Sequence, residues 1–475
     1  MERLDSDDIQ YLLLSAYSRL SCASYVMLRV DDPTLARAWL GELADQVTTA
    51  GRSRADVRLN VALTATGLRR LGLGDKELAV FPHAFRTGMA SPRRARILGD
   101  VGPSAPDQWA WGGPDNPVDI LLLLFAREEP TLRSEVAEQR TRAGAGGLVA
   151  VIPPLDAGRQ PDTREHFGFN DGIGQPVIRG AENAERQLQR TQHATELAPG
   201  EFILGYVDTY GKPAPSPLLD PSRDPSGILP RGADPTTGQR KADLGRNGSY
   251  LVFRQLEQQV ASFWQYLEAT TRQPDGESDP AAMTRLATKM IGRWPSGAPL
   301  VKYPDADPHA GTDRLNNEND FGYSQPDSAG LACPIGAHIR RANPRDSLGP
   351  TPKAALVSAN RHRLLRRGRS YGERLADPLV DDGKKRGLYF ICFNGDLERQ
   401  FEFVQQTWLG SPVFGGLYGE TDAIIGTQPL GGGTMTIPHE PVRQRVHGLS
   451  RFVTVRGGAY FFLPGLRALK YLAAF

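Results

Sequence analysis

Residues 387–396 read Gly387-Leu388-Tyr389-Phe390-Ile391-Cys392-Phe393-Asn394-Gly395-Asp396, and this run decides the fold. Its aromatic and branched side chains over 388–394 read as a buried strand, which the Asn-Gly-Asp turn then ends. Asp396 stands as the N-cap of a helix over 397–408, whose apolar stripe is Leu397, Phe401, Val404 and Trp408. Upstream, 248–256 (Gly-Ser-Tyr-Leu-Val-Phe-Arg-Gln-Leu) has the same strand character. It runs into a helix over 257–271 with Val260, Phe263, Trp264 and Leu267 on one face.

The same alternation fills the start of the chain. A largely buried strand over 24–30 is followed by Asp31-Asp32-Pro33-Thr34, a helix start with proline in the first turn. Leu35, Trp39, Leu40 and Leu43 follow at helical spacing. A strand over 57–63, a short helix over 68–73, a buried strand over 119–126 and a charged helix over 129–142 complete the set. Two halves with matching order imply an internal duplication of an α+β unit with helices on one face of its sheet. The 51 glycines and 37 prolines demand long loops. The polar stretches 181–247 and 272–330 read as irregular, with 187–196 expected to be mobile.

Composition bounds the rest. At 475 residues the chain has room for roughly two to four domains and for a core that hides a large apolar ligand. With 40% hydrophobic and 23% charged residues and a net charge of +2, nothing points to nucleic acid or an anionic membrane. Cys22, Cys333 and Cys392 lie far apart without a CxxC, which suits free thiols in a reducing cytosol. The acidic N-terminus lacks the basic and apolar regions of a signal peptide, and no segment has the length of a membrane span. A cytoplasmic protein is expected.

Three further segments carry chemistry. In 331–345 (Leu-Ala-Cys-Pro-Ile-Gly-Ala-His-Ile-Arg-Arg-Ala-Asn-Pro-Arg), His338 is flanked by small residues and by Arg340, Arg341 and Arg345. A neutral imidazole is a good iron ligand and guanidiniums suit carboxylates, although a buried histidine beside a basic turn reads the same way. In 165–176 (Glu-His-Phe-Gly-Phe-Asn-Asp-Gly-Ile-Gly-Gln-Pro), Asp171 sits between glycines that let backbone approach a ligand. It is a candidate general acid/base, or an ordinary Asp-Gly turn. His166 is expected in a supporting hydrogen bond rather than on a metal. In 364–372 (Leu-Leu-Arg-Arg-Gly-Arg-Ser-Tyr-Gly), Arg366 can project from an apolar wall, while most of the run reads as a solvated basic turn. On the 388–394 strand, Leu388 and Phe390 share a face, fit to line a dry pocket or fill a core.

Together the segments G-F-N-D-G-I-G-Q-P, C-P-I-G-A-H-I-R-R-A-N-P-R, L-R-R-G-R-S-Y-G and G-L-Y-F-I-C-F-N-G-D-L-E-R-Q-F-E-F resemble the dye-decolourising peroxidase family, particularly its longer bacterial members. The motifs occur in the family's order across 165–408, and Asp8-Ile9-Gln10 before an apolar run is similar to the family's opening. The resemblance implies duplicated ferredoxin-like modules with antiparallel sheets and peripheral helices, of the dimeric α+β barrel type. One module, 1–200, would carry the aspartate loop; the other, 201–475, the haem ligand; the two make one haem-binding unit. It further implies haem b (iron protoporphyrin IX), with His338 as proximal ligand, Asp171 as distal acid/base and Arg366 as distal arginine. Leu388 and Phe390 would flank the peroxide site, and Arg340 and Arg341 would contact the haem propionates. Arg369-Ser370 departs from the apolar-proline pair of many relatives, which bears on the local loop shape.

The implied reaction is reduction of hydrogen peroxide and oxidation of dyes, phenols or other aromatic donors through a ferryl intermediate. Asp171 would move the proton and Arg366 would stabilise the developing charge. An aspartate, with a reference pKa of about 3.9, stays ionised where a histidine, about 6.5, is already protonated, so turnover in the mildly acidic range is expected. A carboxylate behind His338 would raise its basicity, with Asp396, Glu398 and Glu402 as candidates. Tyr371, Tyr389 and Trp408 are candidate relays for donors too bulky to enter. Rival readings are a chlorite-dismutase-like or other haem enzyme on a related frame, a haem carrier, and a globular protein without cofactor.

Overall fold

The computed structural model describes residues 3–52, 56–182, 184–190 and 195–474. Eight strands carry its frame: β1 (Cys22–Val30), β2 (Val57–Leu63), β3 (Ile120–Ala126), β4 (Leu155–Gly158), β5 (Ser249–Gln258), β6 (Arg369–Tyr371), β7 (Gly387–Asn394) and β8 (Val453–Leu463). All their pairings are antiparallel. The order β5-β8-β2-β3-β1-β4-β6-β7 returns to β5 through the β5–β7 ladder, so the sheet closes into a barrel. Closure is uneven. Phe462 of β8 opposite Leu63 of β2, and Ser370 of β6 opposite Gly158 of β4, are thin seams between β1–β4 and β5–β8.

Strand alternation divides the side chains cleanly. Tyr25, Leu123, Phe253, Tyr389, Ile391 and Phe461 point into the barrel and fill it. Val26, Leu122, Val252 and Phe462 point outward beneath the helices. Gln10, fully buried, bridges one seam: its amide donates to the carbonyls of Val61 and Pro464, 2.7 and 3.0 Å away, and its carbonyl accepts from Val61 N–H.

Helix α1 (Pro33–Ala44) starts where the sequence places it, with Asp32 accepting from the amides of Thr34 and Leu35. Trp39, Leu40 and Leu43 are buried, each contributing about 1.5–3 kcal/mol of transfer free energy, whereas Leu35 faces solvent. Helices α2 (Glu129–Ala145) and α3 (Val260–Thr271) also form. The stretch expected to be irregular over 272–330 contains helix α4 (Pro280–Ile291), capped by Asp279 and ended by Gly292 in the left-handed region. The 181–247 stretch holds a small sheet of Leu218–Leu219, Arg231–Ala233 and Arg240–Asp243. Of the 187–196 segment, the first part belongs to a helix (Ala184–Arg190), and 191–194 lie outside the described residues.

The helix after Asp396 also forms, but as wide turns over Glu398–Glu402 and Val404–Leu409. Glu402 N–H reaches back five residues to Leu397 and Gly410 N–H to Gln405, both at 2.9 Å. Among the described residues no helix is long and apolar enough to cross a membrane, and all three cysteines are free thiols.

Candidate active site

His338 opens the five-residue helix α5 (His338–Ala342) after the compact turn Cys333-Pro334-Ile335-Gly336-Ala337. Its Nδ1 lies 3.0 Å from Oδ2 of Asp422, a carboxylate with no accessible side-chain surface. The other Asp422 oxygen accepts the amides of Ile424 and Ile425, each at 2.9 Å. Burial would lower the His338 pKa, but the Asp422 charge and hydrogen bond outweigh it and raise the imidazole's basicity. Burial would likewise raise Asp422, and His338 pulls it below the ordinary carboxylate range.

Asp422 was missed in the sequence, and the three carboxylates offered in its place are engaged elsewhere. Asp396 caps its helix through the amides of Glu398 and Arg399, while Glu398 and Glu402 both bind Arg94.

The arginines after His338 need a second correction. Arg340 is buried and directs its guanidinium to Asp327 and the carbonyls of Cys333 and Asp327, over the Tyr323 ring. Arg341, fully buried, donates to the carbonyls of Trp408, Ser411 and Glu420. Both therefore bind loops together and do not present themselves to a ligand's carboxylates. Arg345 also donates to carbonyls, those of Asn319 and Phe321, but its charge acts on Arg293 and Arg363, and none of the three pairs with a carboxylate among the described residues. Burial first, and then the charge of Arg345, lower Arg293 to about 10 and Arg363 to about 9; burial lowers Arg345 as well.

The loop that carries Asp171 is a narrow hairpin. Asp171 N–H donates to Thr163 C=O at 3.1 Å, and Arg164 bridges Asn170 across it. Gly172 and Gly174 take φ of 83° and 76°, which turns the chain directly after the aspartate. Asp171 keeps half of its side-chain surface accessible, and its Oδ1 stands 3.9 Å from Nη1 of Arg366. Arg366 is anchored to the same loop, through its amide to Gln175 at 3.0 Å and through Nη2 to Ile173 C=O at 2.9 Å. The charges of both Arg366 and Asp171 act on His338, so three chain-distant residues share one site.

Leu388 and Phe390 are half-buried on the outer face of β7, between the inward Tyr389 and Ile391. His166 is buried, its Nε2 2.8 Å from Tyr371 C=O; burial holds its pKa down to about 4, a neutral structural histidine. The rest of the Arg366 run is not a solvated turn. Arg367 and Arg369 are buried and donate to the carbonyls of Leu12, Leu13, Ala16 and Tyr17, fastening the N-terminal segment to the barrel.

A family profile described as Dyp-type peroxidase, C-terminal, matches residues 315–440, which hold His338, Arg366, Leu388, Phe390 and Asp422. Along its full length the chain is 28% identical to a dye-decolorizing peroxidase of Mycena epipterygia, covering 100% of this chain and 88% of that protein. It is also 28% identical to the multifunctional dye peroxidase DyP2 of an Amycolatopsis species, covering 98% and 95%. The solved structure of an ancestral D-type dye decolorizing peroxidase superposes at a TM-score of 0.77 with 25% identity, covering 99% of both chains.

The chain matches the DyP-type peroxidases, by profile over 315–440 and by resemblance along its whole length. DyP-type peroxidases are haem enzymes, and the residues present here fit that group. With Nδ1 of His338 held by Asp422, its Nε2 has no hydrogen-bond partner among the described residues and is left as a donor for a metal. Arg345, whose charge acts on both Arg293 and Arg363, gives this group positive charge of the kind two propionates neutralise. As for relays in this DyP-type chain, Tyr371 and Tyr389 stack at 4.5 Å inside the barrel, and Trp408 packs edge-on to His362. All three are core residues.

Proposed function

We propose that this DyP-type peroxidase reduces hydrogen peroxide and oxidises dyes, phenols or other aromatic donors, with haem b held by His338 and with Asp171 and Arg366 acting on the peroxide. The observation that carries the reading is the pairing of a solvent-accessible Asp171 with Arg366, 3.9 Å apart, both close enough to influence an Asp422-backed histidine. Bound haem supplies the iron that accepts peroxide and the oxidising equivalents passed on to the donor. Asp171 takes the proton from one peroxide oxygen and delivers it to the other, which leaves as water. Arg366 stabilises the negative charge that grows as the O–O bond lengthens. Leu388 and Phe390 flank the peroxide, and Asp422 holds the His338 ring in one tautomer and orientation. Arg345 and Arg363 are the guanidiniums suited to the propionates.

Two modules, 1–200 and 201–475, go with this reading, supported by the thin seams that separate β1–β4 from β5–β8. A cytoplasmic location also goes with it, since three free thiols suit a reducing compartment.

The test is an absorption spectrum of protein produced with adequate iron. A Soret band is expected in the parent protein and in Asp171→Asn, and its loss in His338→Ala. A band kept in His338→Ala sinks the ligand assignment, and undiminished peroxide turnover in Asp171→Asn sinks the acid/base assignment.

A further inference from the structure

Glu165 plays no part in the proton transfer above, yet it is tied from three directions. Its Oε1 accepts the amide of Phe169 at 3.0 Å, and its Oε2 accepts the amide of Phe167 at 2.8 Å and the side chain of Gln258 at 2.6 Å. The tip of the hairpin that carries Asp171 begins at this residue. Glu165 N–H donates to Phe169 C=O at 2.9 Å, Arg164 bridges Asn170, and Asp171 N–H donates to Thr163 C=O at 3.1 Å. The tip held by the Glu165 carboxyl and the stem bearing Asp171 are therefore one ladder. Gln258 is buried at the end of β5, and the Phe167 ring lies 4.6 Å from Phe263 of α3, so the tip is anchored to the rigid frame.

We propose that Glu165 is the positioning residue of the distal site: its carboxyl joins the amides of the hairpin tip to Gln258 of the barrel and so holds Asp171 against Arg366. The proposal rests on the reading of Asp171 as acid/base. A displacement of about 1 Å at such a group costs about 100-fold in rate; Asn170 N–H, donating to Pro295 C=O at 3.1 Å, pins the stem beside Asp171, and Glu165 pins the tip.

The three N–H donors of the clamp favour the carboxylate, and burial opposes them. Burial above all, with the Asp171 charge adding to it, pushes the Glu165 carboxyl up to about 7. The neighbouring His166 is held at about 4. Between these values both are uncharged, and Asp171 and the Arg374 guanidinium of the 372–386 segment are the charges facing the tip. Glu257, next to Gln258, is committed to Arg456. A protonated carboxyl needs an acceptor for its O–H. Gln258 Oε1 is buried without a hydrogen-bond partner and reaches Glu165 once the amide rotates.

The experiment uses full-length Glu165→Ala, Glu165→Gln, Gln258→Leu and Asp171→Asn. Backbone hydrogen exchange over 163–174 is read with and without haem, alongside the peroxide and donor kinetics and the Soret band. Glu165→Ala is expected to speed exchange across the hairpin and to lower kcat/KM for peroxide about 100-fold, with the donor KM unchanged. Glu165→Gln keeps all but about one hydrogen bond and should stay within about tenfold of the parent. Gln258→Leu should fall between them. Parent-like exchange and peroxide kinetics in Glu165→Ala would overturn the proposal, as would a Glu165→Gln enzyme as slow as Glu165→Ala. Full activity in Asp171→Asn would instead overturn the acid/base reading, while the exchange data still judge the clamp.

Discussion

The two sides of the candidate haem site are built on opposite plans. On the proximal side Asp422 is fully enclosed, one oxygen on His338 and the other on two backbone amides, and Arg340 and Arg341 lock the surrounding loops from within. On the distal side Asp171 is half accessible, meets Arg366 at 3.9 Å, and is followed at once by a glycine in the left-handed region. A metal ligand profits from permanence, whereas an acid/base must exchange protons with its surroundings. The contrast teaches that burial marks the residues that hold and exposure the residue that acts.

The most severe way to probe this contrast is His338→Ala, expected to abolish the Soret band and peroxide turnover together. Asp171→Asn should keep the band while the peroxide rate falls by about 10²–10⁴-fold, as measured by stopped flow. A smaller loss than that of Asp422→Asn would invert the comparison, since Asp422→Asn only weakens support for the ligand and should cost about 10–100-fold. Arginines sharpen it further. Arg340→Ala strands a buried Asp327 and should lower unfolding free energy by about 3–5 kcal/mol, read by urea denaturation. Arg345→Ala removes hydrogen bonds to neutral carbonyls and strands no charge, so it should lower that stability less than Arg340→Ala does and weaken haem retention, read by transfer to an apo-globin.

The mildest effect is in the pH dependence of stability at the hairpin tip. Glu165 is raised from 4.5 to about 7, so the folded state binds the extra proton, and this group lowers stability as pH rises through that window. His166 is lowered from 6.5 to about 4, so its contribution is full above 6.5 and is lost as pH falls towards 4. The two slopes oppose each other. Glu165→Gln should therefore unmask a stability that rises more steeply between pH 4.5 and 6.5; an unchanged profile would separate the tip from both titrations.

Much of the fold was legible because alternation and caps are local. The 388–394 strand, the Asp32 cap and the Asp396 cap all depend on neighbours a few residues away. Helix α4 was legible in principle, from Asp279-Pro280 at its start, Gly292 at its end and Met283, Leu286 and Met290 between, but the polar residues around it obscured the pattern. Barrel closure was not legible, because the seam pairs Leu63–Phe462 and Gly158–Ser370 leave no periodic trace. Chemistry divided in the same way. Motif residues such as His338, Asp171 and Arg366 stood out by type and setting. Asp422, 84 residues from His338, offered only an acidic residue before Ile424 and Ile425. Residue type also says nothing about where a guanidinium turns, which is why Arg340 and Arg341 were expected at a ligand and Arg345 was left open between anchoring and structure.

The place of β8 in the ring has a consequence for how the chain is made. β8 (Val453–Leu463) sits between β5 and β2, and Gln10 reaches from near the N-terminus to Pro464 just beyond it. During synthesis the ring stays open, with the edges of β5 and β2 unpaired and able to recruit other strands, until β8, the last of the eight in chain order, has emerged. Gln10 and β8 thus act as a clasp, and the barrel cannot close before the last of its strands is in place.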